Sequence, residues 1–256
     1  MTAQMLHELI WTAPFVALLG AIALFPLTAR HWWERNYAYV SFGLALVVIF
    51  HYLIQLRNPK ILLTTGQEYF SFICLIGSLF VVSGGIFFQT KGGSTPAENT
   101  VFLLMASIVA NVLGTTGASM VFIRPWIRMN KIRITAFHIV FFIFLVSNVG
   151  GGLTPIGDPP LFLGYLRGVP FWWVIQHVWH AWILTIAYLL VVFYVLDRIN
   201  FLKASPLIRE KQIAGAHEWK FRGKRNLIYL AAIVGSVFVE HPPFLREVVM
   251  ISAAAL

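Results

Sequence analysis

Residues 147–160 read SNVGGGLTPIGDPP and close an apolar run that begins near Ile132. No uninterrupted membrane helix has this sequence. Three successive glycines, Gly150, Gly151 and Gly152, weaken a helix, and Pro155 removes a backbone donor. Lipid cannot hydrogen-bond backbone that has left the helix. Such backbone persists at membrane depth only where protein or a water-filled cavity covers it. The stretch therefore predicts a membrane helix broken at a binding site, an arrangement characteristic of secondary transporters.

The rest of the chain fits that setting. Of 256 residues, 59% are apolar and only 11% are charged. This composition predicts an all-α polytopic membrane protein. Apolar segments fall at 9–27, 38–54, 69–88, 101–123, 132–166, 171–196 and 227–239, with a last one from Val248 to Leu256. No Lys or Arg precedes Arg30, so 9–27 reads as a retained span and not as a cleaved signal. The single cysteine, Cys74, lies in an apolar run and excludes a disulfide framework or a thiolate metal site. The net charge of +9 would suggest nucleic acid in a soluble protein, but here it resides in loops and sets orientation.

A second segment is also interrupted. The middle of 101–123 reads NVLGTTGAS, from Asn111 to Ser119. One reading is a polar-centred span. The other is a re-entrant helical hairpin over 98–123 with its tip at Gly114–Gly117, each arm about ten residues and roughly 15 Å long. Charge counting places the basic loop 197–225 inside under both readings. The hairpin puts fifteen of the 19 Lys and Arg inside and the single span fourteen, so the count leaves both open. The loop itself reads as a solvated basic connector.

Of ten acidic residues, only Asp158 falls within the broken stretch. An ionisable group there is a functional-site candidate, as a cation ligand, a proton carrier or both in turn. Its structural role would be to cap a half-helix starting at Pro159. Ser147, Asn148, Thr154 and the carbonyls around Gly151 offer hard oxygen ligands of the kind that suit Na⁺. Asn111, Thr115, Thr116 and Ser119 offer a second set, with Gly114 and Gly117 between them. Ser83, Gly84 and Gly85 read as helix-packing positions. His138 reads as a hydrogen-bonded structural histidine. His177 and His180, among Trp172, Trp173, Trp179 and Trp182, read as an interfacial belt. No nucleotide-binding or hydrolase motif is present, which argues against an enzyme or an ATP-driven pump.

Two of these stretches carry a family resemblance. VANVLGTTGASMVFIRP (109–125) and SNVGGGLTPIGDPPLFLGYLRGVPF (147–171) resemble the ion transporter superfamily. They are most similar to the NhaD-type sodium:proton antiporter group, whose members are often labelled citrate transporters. FPLTARHWWERN and HPPFLREVVM extend the likeness along the chain. The resemblance implies two inverted repeats, each with a re-entrant hairpin and a broken helix. It makes Asn111–Gly117 a hairpin tip entered from the cytoplasm and Ser147–Asp158 the unwound part of a helix. It also implies a bacterial inner-membrane location and homodimers.

The function expected is sodium:proton antiport. Na⁺ would be held by Asn111, Ser147, Asn148 and Asp158, with Asp158 carrying the proton in alternation. No cofactor is expected beyond Na⁺ as transported or coupling ion. The rival substrate is a carboxylate such as citrate, taken up with a cation. A rival of another class is a non-transporting membrane scaffold or fragment, because the family's members are nearly twice this length. The expected partner is then a second repeat or a second chain; nucleic acid is not expected.

Overall fold

A computed structural model describes residues 10–91, 95–213, 218–239 and 241–256. Leu9, at the start of the first apolar segment, Glu8, Glu240 and residues 214–217 of the basic loop lie outside the described residues. The chain divides into two compact units, Met1–Gln67 and Glu68–Leu256.

In the first unit, α1 (Ala13–Thr28) and α2 (Arg30–Phe50) pack as a pair. Pro14 sits in the first turn of α1, where its missing N–H costs nothing. The chain turns at Ala29, and α2 runs on through a π-helical turn, His51–Gln55. Apolar side chains face outward here: Phe42 is 70% exposed and Phe50 66%. Water would not tolerate such a surface on so small a helical pair, whereas lipid does. The next helix, α3 (Pro59–Gly84), runs from this unit into the second.

The second unit is organised around α4 (Pro96–Met129). Thr95 caps it: Thr95 N donates to Glu98 Oε2 (2.8 Å), Glu98 N donates to Thr95 Oγ1, and Pro96 occupies the first turn. A straight helix would set Asn99 and Asn130 about 46 Å apart at 1.5 Å per residue. Instead their side-chain amides exchange two hydrogen bonds, of 2.8 and 3.1 Å. The chain reverses at Gly114 (φ 73°, ψ 156°), and α4 is a helical hairpin. Its arms, 96–113 and 115–129, are about 27 and 22 Å long, well over the 15 Å expected from the sequence. The feet of the hairpin are polar but buried, so hydropathy alone truncates it.

Between the arms and their neighbours, Trp126 is fully buried against Phe102, Phe142 and Phe193, and its Nε1 donates to His138 O (3.1 Å). The broken helix follows as α5 (Ala136–Phe142), a π-helical turn (Ile143–Asn148), a 3₁₀ turn (Val149–Gly151), a non-helical stretch at 152–158, and α6 (Pro159–Leu166). The α-helical pattern is already lost at the π-helical turn that holds Ser147 and Asn148, Asn148 leaves helical geometry altogether (φ −126°, ψ −88°), and the chain is non-helical from Gly152.

The basic loop is also more ordered than a connector. Asp197–Lys203 continue α7 (Phe171–Lys203), α8 (Pro206–Ile213) follows, and Glu218–Arg222 form β2. That strand pairs antiparallel with β1 (Phe87–Lys91), Phe87 opposite Arg222. Gly223 (φ 94°) then packs so tightly on Gly85 that a Cβ would overlap Gly85 O. Two antiparallel helices, α9 (Lys224–Ser236) and α10 (Leu245–Ala255), complete the unit; Arg225 Nη2 donates to Leu256 O (2.9 Å).

Among the described residues, Arg30–Gln55, Pro59–Gly84, Pro96–Met129 and Phe171–Lys203 are long and apolar enough to cross a membrane. The hairpin is the most enclosed of them, with 61% of its apolar window buried against 33% or less for the others. The protein is thus an all-α polytopic membrane protein with one small two-stranded ribbon.

Candidate functional site

The hairpin tip lies against the break. Gly114 occupies a backbone region that essentially only glycine adopts. A Cβ there would lie 3.4 Å from Ile156 O and 3.6 Å from Leu79 Cδ1. This turn brings the tip's polar groups to the non-helical stretch at 152–158. Thr115 N donates to Gly157 O (3.0 Å). Asn111 Oδ1 accepts from Leu153 N (3.0 Å), and Asn111 O accepts from Thr154 Oγ1 (2.5 Å). The Thr154 hydroxyl in turn accepts from Gly157 N (2.9 Å). The hairpin therefore does for the broken segment what a helix would have done, and the break can persist away from water.

Glycines make the approach possible. A Cβ on Gly151 would overlap Gly157 O and lie 2.6 Å from Thr115 Cγ2. On Gly117 it would lie 2.5 Å from Ser83 Oγ of α3. That hydroxyl is fully buried and has no hydrogen-bond partner among the described residues. Ser83 is thus more than a spacer: it sets a buried oxygen beside the return arm, one turn from the tip.

The π-helical turn contributes from below. Ser147 Oγ lies 2.8 Å from Ser119 Oγ, and Ser107 Oγ donates to Leu145 O (3.0 Å). Trp182 of α7 donates its Nε1 to Val149 O (2.8 Å) and Gly150 O (3.2 Å). The sequence reading assigned Trp182 to an interfacial belt. It instead covers two carbonyls released at the 3₁₀ turn.

The structure thus brings together Asn111, Gly114, Thr115, Gly117, Gly151 and Thr154, with Ser147 joined through Ser119. Thr116 is exposed. Asn148 is also exposed, and its amide donates back to Ile143 O (3.2 Å). Asp158 is half-buried at the N-terminus of α6. Its backbone carbonyl accepts from Leu161 N (3.0 Å) and Phe162 N (3.2 Å), but its carboxylate does not cap the helix. Pro159 and Pro160 remove two of the N–H groups that a capping carboxylate would use. No described residue donates to that carboxylate, which stands uncommitted beside the bonded Gly157.

A second polar cluster sits at the hairpin's feet, where the sequence showed only segment ends. Asp197 is fully buried. Its carboxylate accepts from both terminal nitrogens of Arg133, from Asn99 Nδ2 (2.7 Å) and lies 3.1 Å from His138 Nε2. His138 is the structural histidine of this cluster, its Nδ1 2.9 Å from Thr135 Oγ1. A sequence signal for Asp197 exists: it continues the buried stripe Ile186, Leu190, Phe193 at helical spacing.

Residues 4–253, nearly the whole chain, match the family described as putative citrate transport. That match reaches the citrate-transport label and not the NhaD-type group. No curated protein and no solved structure matches the chain. The apolar helices and the extent of the match converge: this multi-pass membrane chain belongs to the putative citrate transport family.

Proposed function

We propose that this chain is a secondary active transporter whose cation site lies where the hairpin tip meets the broken helix. The observation that carries the reading is Asp158: a half-buried carboxylate, answered by no described donor, on a break held open by neutral oxygen and amide groups. Such a group binds a proton or a Na⁺ but not both, and that exclusion is the coupling step of sodium:proton antiport. Asn111, Thr115, Thr154 and Ser147 supply the oxygens nearest the break. Thr116, Asn148 and Ser83 complete the set once the helices shift, with Gly114, Gly117 and Gly151 as the hinges. No Lys, Arg or His belongs to the hydrogen-bonded set at the break, which favours a cation over an anion there. The re-entrant placement of the hairpin, the bacterial inner membrane, a homodimer and a second repeat or chain belong to the same reading.

A second reading has its own support. The family's description names citrate transport, which favours cation-coupled uptake of a carboxylate. In that case the amides of the hairpin tip hold the anion, while Asp158 holds the coupling ion.

The test uses everted membrane vesicles loaded with a pH-sensitive dye. Na⁺ addition should dequench the dye for the native chain and not for Asp158→Asn. Parallel uptake of labelled citrate, with and without Na⁺, separates the two readings. Na⁺-dependent citrate uptake without proton movement replaces antiport by symport. Neither response, with the protein folded in the membrane, overturns transport by this chain alone. A response restored by co-expressing a second repeat identifies the chain as one half of the machine.

A further inference from the structure

The return arm of the hairpin borders a cavity that the transport reading does not use. Helix α3 ends at Gly84, and the chain continues as the thinner strand β1. The return arm carries on past that level to Met129. The ribbon does not fill the width a helix would occupy, and a cavity of about 470 Å³ remains. Its walls are apolar: Gly84, Ile86, Phe87, Met120 and Val121. Two charged side chains also line it, Arg124 and Arg128, one helical turn apart on the return arm. Both are exposed, and among the described residues no carboxylate pairs with either. The nearby Arg133 is, by contrast, neutralised by Asp197.

We propose that this cavity is a binding site for one anionic phospholipid of the inner leaflet. The phosphate would sit between the Arg124 and Arg128 guanidinium groups, whose planar donors suit phosphate oxygens. An acyl chain would lie along the apolar wall from Phe87 to Gly84. Three observations favour lipid over a soluble anion. Apart from the two arginines every lining residue is apolar, which a free phosphate or citrate would not require. The arginines lie at the end of the hairpin that carries its feet, on the side to which charge counting assigns the basic loop. Unpaired arginines along a membrane-facing helix reach for headgroups, and the anionic lipids of that leaflet supply them. Bound there, the lipid would brace the end of α3 against the return arm and so hold Ser83 beside Gly117, beneath the tip.

The test is native mass spectrometry of the purified full chain titrated with phosphatidylglycerol, phosphatidylcholine, inorganic phosphate or citrate. Phosphatidylglycerol should bind one per chain with clear preference over phosphatidylcholine. Arg124→Gln/Arg128→Gln should weaken it roughly thirtyfold. Arg198→Gln/Lys203→Gln, which removes the same charge at the end of α7, should not. Gly84→Leu leaves the charge intact and adds bulk to the apolar wall; a Cβ at this position meets only Met120 Cε, at 3.8 Å. It should weaken lipid binding as well. Equal binding of phosphatidylcholine, an unchanged titration in both cavity variants, or equal binding of free phosphate or citrate that Gly84→Leu leaves intact would each overturn the proposal. Size-exclusion profiles report folding, and Arg124→Lys/Arg128→Lys keeps the charge if the glutamine pair does not fold.

Discussion

Asp197→Leu tests whether the buried cluster at the hairpin's feet holds the hairpin in place. In the native chain the Asp197 side chain is 0% exposed and that of Arg133 4%. The carboxylate neutralises Arg133 and receives Asn99, while Arg133 Nε reaches Gln212 Oε1 (3.0 Å) and Arg133 O accepts from Asn200 Nδ2 (3.1 Å). Both hairpin feet, the start of α5, and α7 and α8 therefore meet at one ion pair. Removing the carboxylate alone takes the buried anion away from a guanidinium that is only 4% exposed. The expected loss is about 3–5 kcal/mol, the range for breaking one side of a buried pair. Removing both charges, as Asp197→Leu/Arg133→Met, takes away the uncompensated charge as well. The double variant should recover to within about 1–2 kcal/mol of the native chain. The assay is reversible unfolding in detergent, read by tryptophan fluorescence, with Trp126 reporting directly because it packs on His138. A single variant that loses less than about 1 kcal/mol would show that the pair does not clamp the hairpin. A double variant as unstable as the two single losses added together would refute the argument from uncompensated charge.

Two further substitutions address the break. Gly151→Ala places a methyl group into Gly157 O and within 2.6 Å of Thr115 Cγ2, so the tip must withdraw from the broken segment. It should destabilise the protein by about 1–3 kcal/mol and abolish ion flux in vesicles while the protein remains in the membrane; native flux in a folded Gly151→Ala chain would remove the tip–break contact from the mechanism. Trp182→Phe keeps the ring's bulk but removes the donor to Val149 O and Gly150 O. A loss of roughly 1–3 kcal/mol in the same unfolding assay is expected, and an unchanged midpoint would mean that the carbonyls are satisfied another way.

What the sequence disclosed follows from the reach of each interaction. Apolar runs and broken runs are local, so the spans, the interruption at Asn111–Ser119 and the break near Gly150–Asp158 were legible from residue type alone. The charge count could not decide between a span and a hairpin, because reversing the chain at Gly114 moves few basic residues. The structure shows the reversal itself through Asn99 and Asn130, which lie far apart in sequence yet share two hydrogen bonds. Polar residues at the ends of apolar runs were read as interfacial, because hydropathy registers a side chain's cost in lipid and not its partners. Asp197, at the border of its apolar run, and Trp182, within it, are each answered from another helix, and Asn99 and Arg133, which carry no local signal, meet Asp197. The same reasoning turns on Asp158. Asn111, Thr154 and Ser147, which could have been read as free ligands, already have side-chain partners in this fold, and Thr115 is tied through its backbone. A membrane chain that ties its break to the hairpin through these bonds, and leaves the Asp158 carboxylate answered by no described donor, keeps a charged group open at that break. On the proposed reading a cation neutralises that carboxylate without disturbing a hydrogen bond that the break needs, whereas an anion brought to the same place is repelled by the like charge of Asp158.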